Sequence, residues 1–194
     1  MAKIKDVLLE APDDIKAATY VNNNVDDKML GSALKETQEI HLQSIIGSNL
    51  FYRLQELVFN AIEGNEDNID DEENAVYKTL LDDYVQPYIE AKVQAVLPLM
   101  VTYKTRNLGL TKADDDNVKS AEAKDIMLVQ NRYNSVADRY ATALSKYLCK
   151  NKTSYPELDS PDCGCIPYVA PMIGKRFVNT GLWLGGDKHN CCCK

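Results

Sequence analysis

Apolar residues recur at three- and four-residue spacing along four stretches of the chain, the period of a helix with one buried face. In the first stretch Leu30, Ala33, Leu34, Leu42, Ile45 and Ile46 share a face with Thr37 and His41. Asp26 stands ahead of it as an N-cap, because its carboxylate can accept from an otherwise orphan backbone N–H. Gly47 follows where left-handed geometry ends a helix, and Ser48 or Asn49 is placed to cap the next one. Leu50, Phe51, Leu54, Leu57, Val58 and Ile62 then make a second buried face, stopped by Gly64 and an acidic run. The third stretch, within residues 72–107, carries Val76, Leu80, Leu81, Tyr84, Val85, Tyr88 and Ile89. Pro87 and Pro98 interrupt it, and each would kink or break a straight helix at a cost of ~3 kcal/mol. Asn107, Leu108 and Gly109 close that element.

The fourth stretch opens at Asp114, Asp115 and Asp116, whose charge suits the positive end of a helix dipole. Val118, Ala121, Val129, Tyr133, Val136, Tyr140, Leu144, Tyr147 and Leu148 keep one face apolar as far as Cys149. That predicts a helix of about 35 residues, on the order of 50 Å at 1.5 Å per residue. A helix longer than its own domain is expected to lean on neighbouring subunits.

Both ends read differently. Residues 1–24 form a leader, in which the β-branched and aromatic stretch 15–21 predicts a short extended segment broken by Asn22, Asn23 and Asn24. After Lys150, Pro156, Pro161, Pro167 and Pro171 with Gly164, Gly174 and Gly185 nearly exclude helix. Apolar residues persist there, among them Phe177, Leu182, Leu184 and Trp183, the only tryptophan. A disordered tail would be poorer in these. The reading is an extended arm over 151–194 that orders on a partner, with a strap folded back on its own domain as the competing possibility. Phe177, Leu182, Trp183 and Leu184, with Tyr133 and Tyr140 on the last helix, are the candidate interaction residues. The fold expected is all-α: a small bundle of four to five helices over 25–150, one of them long and C-terminal, with a leader and a mostly non-helical arm.

Charge changes this picture in one place. The net charge is −7, but residues 63–83 hold nine acids against one lysine, so the rest of the chain sums to +1. The block reads as a solvated loop, or more sharply as a contact for a basic partner or a collar that repels DNA. No Lys/Arg stripe offers itself to phosphates, and residues 111–150 carry seven basic and six acidic side chains, which disfavours a basic recognition helix. No apolar run approaches the ~20 residues of a membrane span. The start lacks the apolar core of a signal peptide, so a cytoplasmic or virion context is expected.

Candidate chemistry is sparse. Cys163, Cys165, His189, Cys191, Cys192 and Cys193 offer sulfur and nitrogen ligands, and Cys163, Cys165, His189, Cys191 and Cys193 are the possible zinc set. Their gaps of one and zero residues argue against a structural site, which normally leaves two between paired cysteines. His41, on an apolar helix face, reads as a semi-buried packing residue. No phosphate-binding loop, dinucleotide fingerprint, zincin helix or nucleophile elbow is present. Sequential carboxylates such as Asp70, Asp71, Glu72 and Glu73 do not make a positioned acid–base pair. No catalytic residue, cofactor or metal is therefore expected.

The order Asn24-Val25-Asp26, Gln38, then Ile45-Ile46-Gly47 with Leu50-Phe51-Tyr52 and Leu54 resembles the helical head–tail connector (adaptor) proteins of tailed phages. Leu80-Leu81, Tyr84-Val85, Pro87, Ala91 and Asn107-Leu108-Gly109 fit the second half of that pattern. The likeness covers roughly residues 15–150 and is greatest to the connectors of crAss-like Bacteroidetes phages. It implies a virion protein of the neck, assembled in the host cytoplasm. It also implies a homo-oligomeric ring, typically of twelve copies, beneath the portal protein. Such a ring extends the DNA channel without sequence-specific binding and docks neighbouring tail or ring proteins. The competing function is a helical DNA-packaging or protein-interaction module, with or without a zinc-binding cysteine-rich tail.

Overall fold

A computed structural model of the chain describes residues 4–22, 24–106, 109–112 and 123–159. The fold is all-α, with five helices among the described residues and one short β-hairpin between the last two.

The leader is the first correction. Pro12 presets the backbone at the first helical position, and Asp13 and Asp14 suit the positive end of the dipole, so α1 forms over Pro12–Ala18. Ile15, expected in an extended segment, lies in α1 and is fully buried. The β-branched character of 15–21 loses to the Pro-Asp-Asp start. Ahead of α1, Val7 and Leu9 are also buried. Two glutamines hold this strand-like entry. Gln38 donates to the Val7 carbonyl at 2.9 Å and accepts from the Leu9 N–H at 3.1 Å. Gln55 donates to the same Val7 carbonyl at 3.1 Å. Buried backbone groups need such partners, so an otherwise apolar interface keeps two amides.

α2 begins at Asp27, with Asp26 accepting from the Lys28 N–H at 3.0 Å as its cap. It runs Asp27–Glu36, widens into a π turn at Thr37–Leu42, and ends over Gln43–Ile46. Leu34, Gln38, Leu42 and Ile46 are all buried. A strict four-residue step drifts around a regular helix, which turns every 3.6 residues. The wider turn cancels that drift and keeps the row facing inward.

Gly47 links α2 to α3 (Ser48–Glu63) with φ 83 and ψ 155. The φ is positive as expected. The ψ is extended, however, in a region that is essentially glycine's alone and not the left-handed helical well. Ser48 starts α3 and does not cap it; its hydroxyl accepts from Gln43 Nε2 at 2.9 Å. Leu50, Phe51, Leu54 and Leu57 are buried as expected, but Ile62 is 69 % exposed, beside the α3 terminus at Gly64. That glycine takes the left-handed cap, with its N–H bonded to the Asn60 carbonyl.

α4 runs through residues 75–102 as Ala75–Leu80, a π turn at Leu81–Val85, and Gln86–Thr102. Neither proline breaks it. The π turn comes directly before Pro87, where an extra residue in the turn makes room for a residue without an N–H. The helix stops at Thr102, earlier than Asn107. The chain then pairs β1 (Tyr103–Arg106) with β2 (Gly109–Lys112) in an antiparallel hairpin, Tyr103 opposite Lys112 and Arg106 opposite Gly109. β-Branched and aromatic residues at 101–105 favour the pleated form over further helix.

α5 (Ala123–Lys150) is described over 28 residues, about 42 Å; the start expected at Asp114–Asp116, with Val118 and Ala121, lies outside the described residues. It returns antiparallel to α4, since Tyr84 stacks on Tyr147, Lys92 bonds Asn134 and Gln130 bonds the Ala95 carbonyl. Two short 3₁₀ turns follow, Lys152–Ser154 and Pro156–Asp159. Tyr155 between them is fully buried and Leu158 joins the same core. Residues 151–159 thus fold back on the helices as a strap and do not begin an extended arm. The remainder, 160–194, lies outside the described residues.

Candidate interaction surface

Packing divides the apolar face of α5 into two rows that the sequence merges. Ala137, Ala141, Leu144 and Leu148 are buried. Alanines at two of these positions leave little side chain between α5 and α4, so the backbones approach closely. The adjacent row, Val129, Tyr133, Val136 and Tyr140, is only half-covered: Val129 is 39 % and Tyr140 41 % exposed. Tyr133 and Val136 are half-buried. The two tyrosines singled out from the sequence therefore stand on the outward row of the longest helix described.

Tyr133 and Val129 also enter a cleft that sequence reading missed. The space, about 250 Å³, opens where the C-terminal end of α4 meets the first turns of α5. Tyr20, Val21, Leu97, Pro98 and Val101 supply further walls, and no charged side chain lines it. Tyr20 is 94 % exposed and Val101 40 %. Nearby Leu99, Met127 and Leu128 are exposed too. The one signal in the sequence was the pair Tyr20-Val21, an apolar step between a helix and an asparagine run. Its meaning depends on α4 passing beside it, which periodicity does not reveal.

The acidic block is more ordered than a loose solvated loop. Arg53 on α3 reaches both carboxylate oxygens of Asp67, at 3.0 and 3.2 Å, and Glu56 at 2.9 Å. Asn74 donates to Asp67 at 2.9 Å, and these bonds, Asn74 first and Arg53 second, hold the Asp67 carboxyl below its ordinary pKa. Asp67 has φ 58, a left-handed turn position an aspartate tolerates. Ile69 is buried and bonds the Leu57 carbonyl. Lys78 pairs with Asp70 at 2.6 Å. Glu63, Glu66, Glu72, Glu73, Asp82 and Asp83 remain exposed on the outside of this framework.

Two titratable groups sit inside the fold. Glu10 is 5 % exposed, its Oε2 has no hydrogen-bond partner, and burial, with Glu90 and Asp14 adding repulsion, pushes its pKa up to about 8. His41 is half-buried, and burial together with the Lys92 charge lowers its pKa, so the imidazole is held neutral as a packing group. Among the described residues no three His, Cys, Asp or Glu side chains are grouped to hold a metal. The zinc candidates Cys163, Cys165, His189, Cys191 and Cys193, and the arm anchors Phe177, Leu182, Trp183 and Leu184, lie outside the described residues. No described helix is long and apolar enough to cross a membrane.

No curated protein and no solved structure matches the chain. A protein-family model does match, over residues 42–168. It takes in α3, α4, the hairpin, α5 and the 151–159 strap, which is the part of the molecule that carries the half-covered row and most of the cleft. The chain belongs to the family of unknown function DUF6712.

Proposed function

We propose that this protein is a structural subunit of a tailed-phage neck, a head-to-tail connector that packs side by side with its own copies. The ring so formed sits below the portal, continues the DNA channel and docks the tail. The observation that carries the proposal is the outward row of α5. Val129, Tyr133, Val136 and Tyr140 run along a helix of 28 residues with one side still half-uncovered. Tyrosines are efficient anchors, burying a large apolar ring while the hydroxyl stays hydrated. The exposed acids around the Arg53–Asp67 framework add a second support, because fixed negative charge leaves passing DNA unbound where basic groups would retain it. The role is non-catalytic and virion-borne, with assembly in the host cytoplasm; twelve copies are the expected number.

Electron microscopy and mass measurement of the purified protein, alone and mixed with its portal protein, test the proposal. Rings in either sample are the expected result. Tyr140→Glu, placed on the exposed row, is expected to abolish them while leaving the helical circular dichroism unchanged. Monomers under both conditions, or rings indifferent to Tyr140→Glu, would overturn it.

A further inference from the structure

We infer that in the free subunit segment 177–184 of the same chain seats itself in the apolar cleft between α4 and α5. The cleft walls contain valine, leucine, proline, tyrosine, threonine and glutamine and no charge. Segment 177–184, Phe-Val-Asn-Thr-Gly-Leu-Trp-Leu, is uncharged as well and holds the only tryptophan. Aromatic anchors in apolar pockets are the usual source of affinity in such contacts. A charged or strongly polar occupant would lose its hydration against these walls without gaining a partner.

Reach and tethering favour the chain's own segment. The described strap ends beside the start of α4, where Tyr155 bonds the Val76 carbonyl and Glu157 accepts from Tyr77. The cleft lies further along the same helix, at Leu97, Pro98 and Val101. From residue 76 to residue 98 a helix rises roughly 33 Å. The chain from 159 to 177 spans roughly 60 Å when extended, so it reaches the cleft with slack. A tether of this length holds the segment at an effective concentration near the millimolar range, above that of a second copy at micromolar protein. The occupied cleft would cover Val101 and Val129 in the isolated subunit. The inference does not depend on the neck-ring proposal, and neither fails with the other.

Trp183 reports directly, since no other residue contributes indole emission. In the full-length protein its emission is expected to lie to the blue of N-acetyltryptophanamide and to resist acrylamide. About a hundredfold dilution leaves an intramolecular contact unchanged. Val129→Glu and Val101→Glu, on opposite walls and each already partly exposed, are expected to shift the emission to the red. Both should raise acrylamide quenching several-fold with unchanged helical circular dichroism. Emission like that of the free indole compound overturns the inference, as does emission indifferent to both substitutions. A blue shift lost on dilution overturns it too, by assigning the segment to a second copy.

Discussion

The two ends of the α4–α5 pair are both aromatic, and only one of them is closed. At the start of α4, Tyr84 stacks on Tyr147 with centroids 4.1 Å apart, and Tyr155 meets Tyr77 edge-on at 5.5 Å. The hydroxyls there are satisfied. Tyr77 donates to Glu157, and burial followed by that carboxylate pushes its pKa up to about 12. Tyr155 bonds both the Val76 carbonyl and the Tyr147 hydroxyl. At the other end Tyr20 and Tyr133 stand at the mouth of an open cleft with exposed Val101 and Val129 beside them. What differs is the covering strap, since 151–159 closes the first end and no described residue closes the second. Aromatic content alone therefore does not mark a docking surface; the uncovered end does.

The largest effect expected from breaking this contrast is truncation. Ending the chain after Lys150 removes the fully buried Tyr155 and Leu158, a loss on the order of 3–5 kcal/mol by analogy with large-to-small core changes. Ending it after Asp159 leaves the closed end intact. Thermal unfolding should show a much lower midpoint for the first protein and little change for the second; equal midpoints would show that the strap contributes nothing. Next comes Gly47→Val, away from both ends, where a β-branched residue at φ 83 and ψ 155 is strained by about 2–3 kcal/mol. An unaltered urea midpoint would mean the α2–α3 link relaxes freely.

A smaller effect depends on pH. Glu10 binds its proton more tightly folded, at about 8, than at the ordinary 4.5. Its contribution to stability is fully present below about pH 4.5 and is lost as pH rises through 8. Glu10→Gln removes the ionisable group, so its advantage over the native protein should grow from pH 5 to pH 9, reaching about 2 kcal/mol. A constant difference across that range would refute the account. The smallest effect on stability is expected on the open row: Tyr140→Ser, at 41 % exposure, should cost within about 0.5 kcal/mol, whereas Leu144→Ala, one turn away and buried, should cost ~2–5 kcal/mol.

Much of the helical layout was legible because local chemistry decides it. Asp26 caps α2, Gly64 ends α3, and Leu30 through Leu57 bury the faces their spacing implies. The misses share a cause: they depend on what lies opposite. Gln38 and Gln55 look like interruptions of apolar faces until the Val7 and Leu9 backbone groups are placed against them. Tyr140 looks like a core position until Ala137 and Ala141 take that side. Pro87 was expected to damage the helix, but a neighbouring π turn accommodates it. Pro12-Asp13-Asp14 was a readable start signal and was outweighed by the wrong feature, the β-branched run behind it. Of the candidate interaction residues, Tyr133 and Tyr140 stand on the outward row. The cleft beside Tyr133 was not legible, because its walls come from segments distant in sequence.

The π turn at Leu81–Val85 works like a tooth in a gear train. It holds one residue more than a regular turn needs, and everything after it is set in phase by that residue. Deleting a single residue within 81–85 would return the segment to an ordinary helix and rotate Gln86–Thr102 by about 100° about its axis. Leu97, Pro98 and Val101 would turn away from Val129 and Tyr133, and the cleft would lose a wall without any of its own residues being changed. A length change far from that surface is thus a sharper lever on it than most substitutions within it.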